Sequence, residues 1–143
     1  MEIRTVSTEA DLMICKDLIL GFSKNISEKN FLKEVKFMIK NDSLNITYVY
    51  DTNEHRAVAF VGFRFIRTLR TGLIINIDDL YTDPMYRGRG YGAALLEHVE
   101  QEAMACGIST VHLDSGAPLK PAQRLYQNKG FNIVSQHLAL EVS

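Results

Sequence analysis

The sequence predicts a mixed α/β fold, a sheet with antiparallel and parallel neighbours flanked by helices, and three observations carry that expectation. Residues 44–82 hold three β-rich runs in succession joined by polar turns, the pattern of antiparallel strands. Residues 78–93 read as strand, turn and helix, with glycines at the helix start, and the helix crosses to a further strand at 109–114, which makes that pair parallel. The chain of 143 residues, 46% apolar and 23% charged, fits a single domain, 1–143, able to bury one sizeable core.

Residues 2–6 alternate polar and apolar, as a short strand does. Thr8 is placed to cap the helix that follows, where Leu12, Cys15, Leu18 or Ile19, and Phe22 recur on one side. Residues 21–25 break it, and Ser27 caps a second helix with Phe31, Leu32, Val35, Met38 and Ile39 inward, ending near Asn41. Runs 44–50 and 57–66 form a hairpin about the polar turn 51–56, and Gly62 marks a bulge or a close backbone approach. A second polar turn, 68–72, leads into the β-branched run 73–77 and on to the Asp83-Pro84 turn. The next helix carries Gly92, Leu96, Val99 and Ala103 on one face and stops at Cys106-Gly107, with glycine at the usual capping position. After the 109–114 strand, 118–129 reads as a short helix holding Ala122, Leu125 and Tyr126, and 131–142 as a long final strand. The order is β-α-α-β-β-β-α-β-α-β.

Composition narrows the function classes. A net charge of −1 gives no electrostatic reason to bind nucleic acid. No apolar run reaches the roughly 18 residues of a membrane span, and Met1-Glu2-Ile3-Arg4 lacks a signal peptide's charged start and apolar middle, so a cytoplasmic chain is expected. Cys15 and Cys106 both fall on predicted helices and form no metal-type pair. They read as reduced, inert thiols, and no metal site is expected.

The central stretch carries the chemistry. The first N–H groups of a helix lack partners within it, and the helix dipole adds positive charge at the same end. Gly88, Gly90 and Gly92 remove the Cβ atoms that would hold a phosphate off the backbone, and Arg87 and Arg89 bring two charged donors. The stretch therefore reads as a pyrophosphate site, against the plainer alternative of a glycine-rich turn with solvated arginines. Gly88-x-Gly90-x-x-Ala93 also fits a dinucleotide fingerprint, with Asp114 near the position of its ribose-binding acid. Context disfavours that oxidoreductase reading: residues 82–87 intervene between strand and first glycine, and too little chain follows for further β-α units.

Arg87-x-x-Gly90-x-Gly92, preceded by Leu80-Tyr81-Thr82-Asp83-Pro84 and opening a helix, resembles the acetyl-CoA signature of the GNAT N-acetyltransferase superfamily. Downstream, the run from Ala122 through Leu125-Tyr126 to Gly130-Phe131 is similar to that family's second motif, A-x-x-L/F-Y-x-x-x-G-F, and the element order matches it too. The resemblance implies a splayed GNAT-type sheet and acetyl transfer from acetyl-CoA to a primary amine, on a small molecule or a protein. It assigns pantetheine to the backbone of Leu80, Tyr81 and Thr82. It assigns the pyrophosphate to Arg87, Gly88, Arg89, Gly90, Tyr91, Gly92 and Ala93, and counts Ala122 with the cofactor-binding residues. A CoA-binding regulatory module of the same fold, without turnover, is the alternative.

Such a transfer positions a thioester beside an amine, takes a proton from the ammonium and returns one to the departing thiolate. Tyr126 matches the family's proton donor, and a phenol is protonated at neutral pH without tuning. The alternative is a tyrosine that buries its ring. For the base, Asp78 and Asp79 end the central strand on opposite sides. Period-two counting sets Asp78 with Asn76, and Asp79 with the apolar Ile75 and Ile77, unless a bulge reverses this. Asp78 is the choice, with a solvated carboxylate as the alternative. One departure stands out: Leu119 occupies a position where the second motif often carries an asparagine that contacts CoA, so that bond is either lost or supplied by Ser115 or Lys120. His112 and His137 read as sheet histidines, and the final strand is a candidate homodimer edge.

Overall fold

In a computed structural model the structure describes residues 1–114 and 120–142. Five strands form one mixed sheet in the order β1-β2-β3-β4-β5. Strands β1 (Glu2–Thr5), β2 (Leu44–Asp51), β3 (Arg56–Thr68) and β4 (Gly72–Thr82) pair antiparallel in succession, and β5 (Val111–Leu113) follows. By its internal contacts the chain divides into two compact units, Met1–His112 and Leu113–Ser143.

In the first unit, α1 (Glu9–Phe22) starts where Thr8 was expected to cap it. The Thr8 hydroxyl accepts from the Asp11 amide at 3.2 Å, and Asp11 Oδ2 accepts from the Ser7 and Thr8 amides at 2.9 and 3.1 Å, a reciprocal capping box. Asp11 also receives the Tyr48 hydroxyl at 2.8 Å, which ties the helix start to β2. Burial pushes the Asp11 carboxyl up, but the Ser7 and Thr8 amides and the Tyr48 hydroxyl outweigh it and hold the carboxyl down at about 2.

Helix α2 (Phe31–Asn41) starts four residues after Ser27, later than expected. The Ser27 hydroxyl instead accepts from the Asn30 amide at 3.3 Å, shaping the turn before the helix, and Asn30 at the cap makes no side-chain bond. A helix this short is marginal alone. Phe31 and Val35, each 1% exposed, hold it to the sheet, and burial of roughly 1.5–3 kcal/mol per such side chain outweighs a missing cap worth about 1 kcal/mol.

Leu12, Cys15, Leu18 and Ile19 of α1 join Phe31, Val35, Ile46, Tyr48 and Phe60 in one core cluster. By strand alternation Val49 and Val61 face the other way, and there α3 (Tyr91–Ala105) packs on β2, β3 and β4 with Leu95, Leu96, Val99 and Ala103 buried. The expected stop after α3 is a complete Schellman motif. Gly107 has φ +71°, its amide donates to Met104 O at 3.2 Å, and the Ile108 amide donates to Ala103 O at 2.8 Å.

The second unit contains α4 (Lys120–Asn128). Residues 131–142, expected as a strand, form none, and with Ile133, Val134, Leu138, Leu140 and Val142 all more than 70% exposed the segment has no ladder among the described residues. β-branched composition favours a strand only against a neighbouring surface that can pair and pack with it. Ser115 and Leu119 lie outside the described residues, as does the side chain of Lys120.

Candidate active site

The two acids at the end of β4 are separated by a bulge. Gly62 pairs with Asp79, and the next residue of β3, Phe63, pairs with Ile77, so Asp78 is the extra residue. Period-two counting fails at this point. Ile77 stays with Phe63, while Asp79 turns to the side of Gly62, where a Cβ built on the glycine would lie 3.8 Å from Asp79 Oδ2. Gly62 thus marks both a bulge and a close approach.

Asp78 is engaged elsewhere. Arg64 grips it with two bonds, Nε to Oδ2 at 2.7 Å and a terminal nitrogen to Oδ1 at 2.8 Å, and the Asn76 amide adds a third at 2.9 Å. A carboxylate so fully hydrogen-bonded is a structural anchor, which overturns the choice of Asp78 over Asp79 as the acid turned to a cleft. Asp79 is half-buried and lines a cleft of about 420 Å³. Burial pushes its carboxyl up from the ordinary value, the Asp78 charge adds to that, and Arg64 opposes both.

The walls of the cleft are mostly carbon: Ile19 and Phe22 from α1, Val35 and Met38 from α2, Ile46 and Phe60 from the sheet. The 23–26 connection closes one side with Ser23, Lys24, Asn25 and Ile26. Phe22, expected in the core, is 36% exposed and forms an aromatic group with Phe60 and Tyr81, at ring distances of 5.5 and 5.2 Å.

Leu80, Tyr81 and Thr82 are half-buried and pair on one side with Val61, Phe60 and Ala59 of β3. On the other side of β4 stands a strand of three residues, too short to cover the backbone of an eleven-residue neighbour. Among the described residues, part of that edge has no neighbouring strand, the feature a pantetheine amide chain would use.

Beyond Thr82 the chain makes a one-turn 3-10 segment, Pro84–Tyr86, capped by Asp83, which accepts from the Met85 amide at 2.9 Å and from Arg56 at 2.8 Å. Tyr86 is buried, and Arg89 lies over its ring at 4.9 Å. Arg87 Nε donates to Thr82 O at 3.1 Å, which folds the arginine back along the strand end. Gly88 and Gly90 have φ of +79° and +85°, a region that excludes most side chains, and nothing stands within 4 Å of where a Cβ would project.

Gly90 is the N-cap of α3, and no side chain caps it. An uncapped fifteen-residue helix, a left-handed glycine pair before it and two exposed arginines together fit a diphosphate. Tyr91, Gly92 and Ala93 form its first turn, where N–H groups lack helical partners.

In the second unit the Y-x-x-x-G-F spacing has a mechanical origin. The Phe131 amide donates to Tyr126 O at 3.0 Å and the Gly130 amide to Gln127 O at 3.0 Å, with Gly130 at φ +97°, which is again a Schellman motif. Phe131 packs edge-on against Tyr126 at 6.0 Å, so the cap clamps the tyrosine ring. Burial pushes the phenol up, which keeps it protonated well past neutral pH. Ala122 falls in the same helix. Asp114 and His137 pair at 3.5 Å, both exposed, and His112 is half-buried in β5.

Sequence reasoning missed Arg64, Lys24 and the cleft-lining role of Phe22. A lone arginine in the apolar run Val61-Gly62-Phe63-Arg64-Phe65 was the available signal for the first; the other two depend on where α1 ends against the sheet.

Residues 13–131 match the model of the acetyltransferase (GNAT) family. The chain is 30% identical over 108 residues to an uncharacterized N-acetyltransferase, YhdJ, of Bacillus subtilis (strain 168), covering 75% of each chain. Its fold is similar to a crystal structure of an acetyltransferase of Trypanosoma brucei, with TM-score 0.81, 21% identity and 99% of each chain covered. It is similar in fold to a ribosomal-protein-alanine N-acetyltransferase of Brucella melitensis biovar Abortus 2308, with TM-score 0.81, 16% identity and 99% and 100% of the two chains covered. With a family match over most of its length and a relative of this identity, the chain belongs to the GNAT family and is an N-acetyltransferase.

Proposed function

We propose that residues 1–143 form one catalytic domain that moves an acetyl group from acetyl-CoA to a primary amine by direct attack, with Asp79 as the general base and Tyr126 as the general acid. The observation that carries this reading is the half-buried Asp79 carboxylate, turned by the Asp78 bulge into an apolar cleft on the strand that runs into the glycine loop.

The residues at 87–93 hold the pyrophosphate with backbone N–H groups and two arginines, and the backbone of Leu80, Tyr81 and Thr82 pairs with pantetheine. The family resemblance alone counts Ala122 with the cosubstrate-binding residues. When bound, acetyl-CoA supplies the acetyl group as an activated thioester. Asp79 takes a proton from the incoming ammonium, and its upward shift strengthens it as a base by bringing it nearer to the operating pH. Tyr126 gives its phenolic proton to the departing sulfur. Asp78 holds Arg64, and the pair tunes the charge that Asp79 feels.

The test is thiol release from acetyl-CoA in the presence of an amine panel. Release that depends on both the amine and Asp79 supports the reading. Acetyl-CoA raising the melting temperature while no amine stimulates release would favour a cofactor-binding module instead.

A further inference from the structure

We propose that the acceptor is a monoamine carried on a compact apolar body, and that polycations are excluded. This rests on the acetyltransferase reading above and narrows it.

The cleft beside Asp79 has a volume of about 420 Å³, within the range of small-molecule sites. Among the described residues that line it, the charge inventory is short: one carboxylate, Asp79, and one cation, Lys24. Lys24 is exposed on the α1–α2 connection and makes no ion pair among the described residues. Asp78, the nearest further acid in sequence, is consumed by Arg64 and Asn76. Ser23 and Asn25 are neutral, and the remaining walls are aliphatic or aromatic carbon.

One ammonium can therefore be matched, at Asp79. A second on the same molecule would lose water against carbon walls without an acceptor of opposite charge, and would meet Lys24 as a like charge. An aminoglycoside or polyamine carries several such groups. A single amine on a hydrocarbon or aromatic body meets the opposite situation: its charge faces Asp79, and its carbon replaces water against Phe22, Phe60, Val35 and Ile46.

The experiment compares kcat/KM across straight-chain alkylamines, a phenylalkylamine, diamines of matched length and an aminoglycoside, all with acetyl-CoA and the full chain. The expected result is a rise of about threefold to fourfold per added methylene until the cleft is full, with each diamine well below its matched monoamine. Lys24→Glu, an exposed change that leaves the core intact, should shift the diamine-to-monoamine ratio toward diamines by about fivefold, and Lys24→Ala by less, the size of an exposed charge interaction. Polycations turning over faster than every monoamine, or a ratio indifferent to Lys24→Glu, overturns the acceptor assignment while leaving acetyl transfer standing. No release with any amine of this panel overturns the proposed transfer and this assignment with it, and leaves the family membership standing.

Discussion

Neutralising each member of the Asp78, Asp79 and Arg64 group separates the base from its neighbours, because the bulge gives the three residues different work. Asp79→Asn removes the proposed proton acceptor itself. General-base catalysis contributes about 10²–10⁴ in rate, so kcat should fall by that factor, about 2.7–5.4 kcal/mol of barrier.

Asp78→Asn should leave turnover near wild type at high pH but move the acid limb of the pH–rate profile. Asp79 is held up first by burial and then by the Asp78 charge, and is pulled down by Arg64. Removing the Asp78 charge deletes one upward cause and frees Arg64, so the Asp79 carboxyl falls and activity persists to lower pH. Arg64→Met deletes the downward cause and leaves Asp78 in place, so the limb moves to higher pH. Because the acceptor amine titrates identically in all variants, the displacement between profiles belongs to the protein. The assay is kcat against pH by thiol release at saturating acetyl-CoA. Limbs moving in the same direction, or Asp78→Asn losing as much activity as Asp79→Asn, would refute the assignment.

Three further outcomes follow from the geometry. Gly90→Glu forces a side chain into a φ of +85° and sets a negative charge at the proposed anion site, so calorimetric titration should show acetyl-CoA binding abolished with the fold retained by circular dichroism. Tyr126→Phe keeps the ring contact with Phe131, so titration should show unchanged affinity while kcat falls by about 10²–10⁴, the contribution of a general acid. Asp11→Ala breaks the capping box, and urea unfolding at neutral pH should show a loss of about 0.5–2 kcal/mol. Because the Asp11 carboxyl sits at about 2, below its ordinary 3.8, its contribution is full above that ordinary value and fades as pH falls through the folded value. The gap between wild type and variant should therefore narrow toward pH 2.

Much of this was legible because the signals are local. Thr8 and Asp11 cap a helix through three residues of sequence, Gly107 ends one through a left-handed backbone, and the glycines at 88 and 90 open a helix end without reference to anything distant. The second motif was readable for the same reason, since Tyr126, Gly130 and Phe131 form a single helix cap.

Longer-range features were not legible. The orientation of Asp79 depends on one extra residue in a ladder, and strict alternation across Asn76, Ile77, Asp78 and Asp79 carries no trace of it beyond Gly62 on the facing strand. Ser27 has the chemistry of a cap, yet the helix waits for Phe31 because burial, not capping, holds it. Residues 131–142 show the converse: β-branched composition with no ladder among the described residues yields no strand.

The central claim is that the amides at 88–93 are a preformed diphosphate cradle, and backbone amide chemical shifts of the ¹⁵N-labelled chain titrated with CoA test it most directly. The account predicts the largest displacements at Gly88, Arg89, Gly90, Tyr91, Gly92 and Ala93, lost in Gly90→Glu. Saturable CoA binding that leaves those six amides unmoved would contradict it.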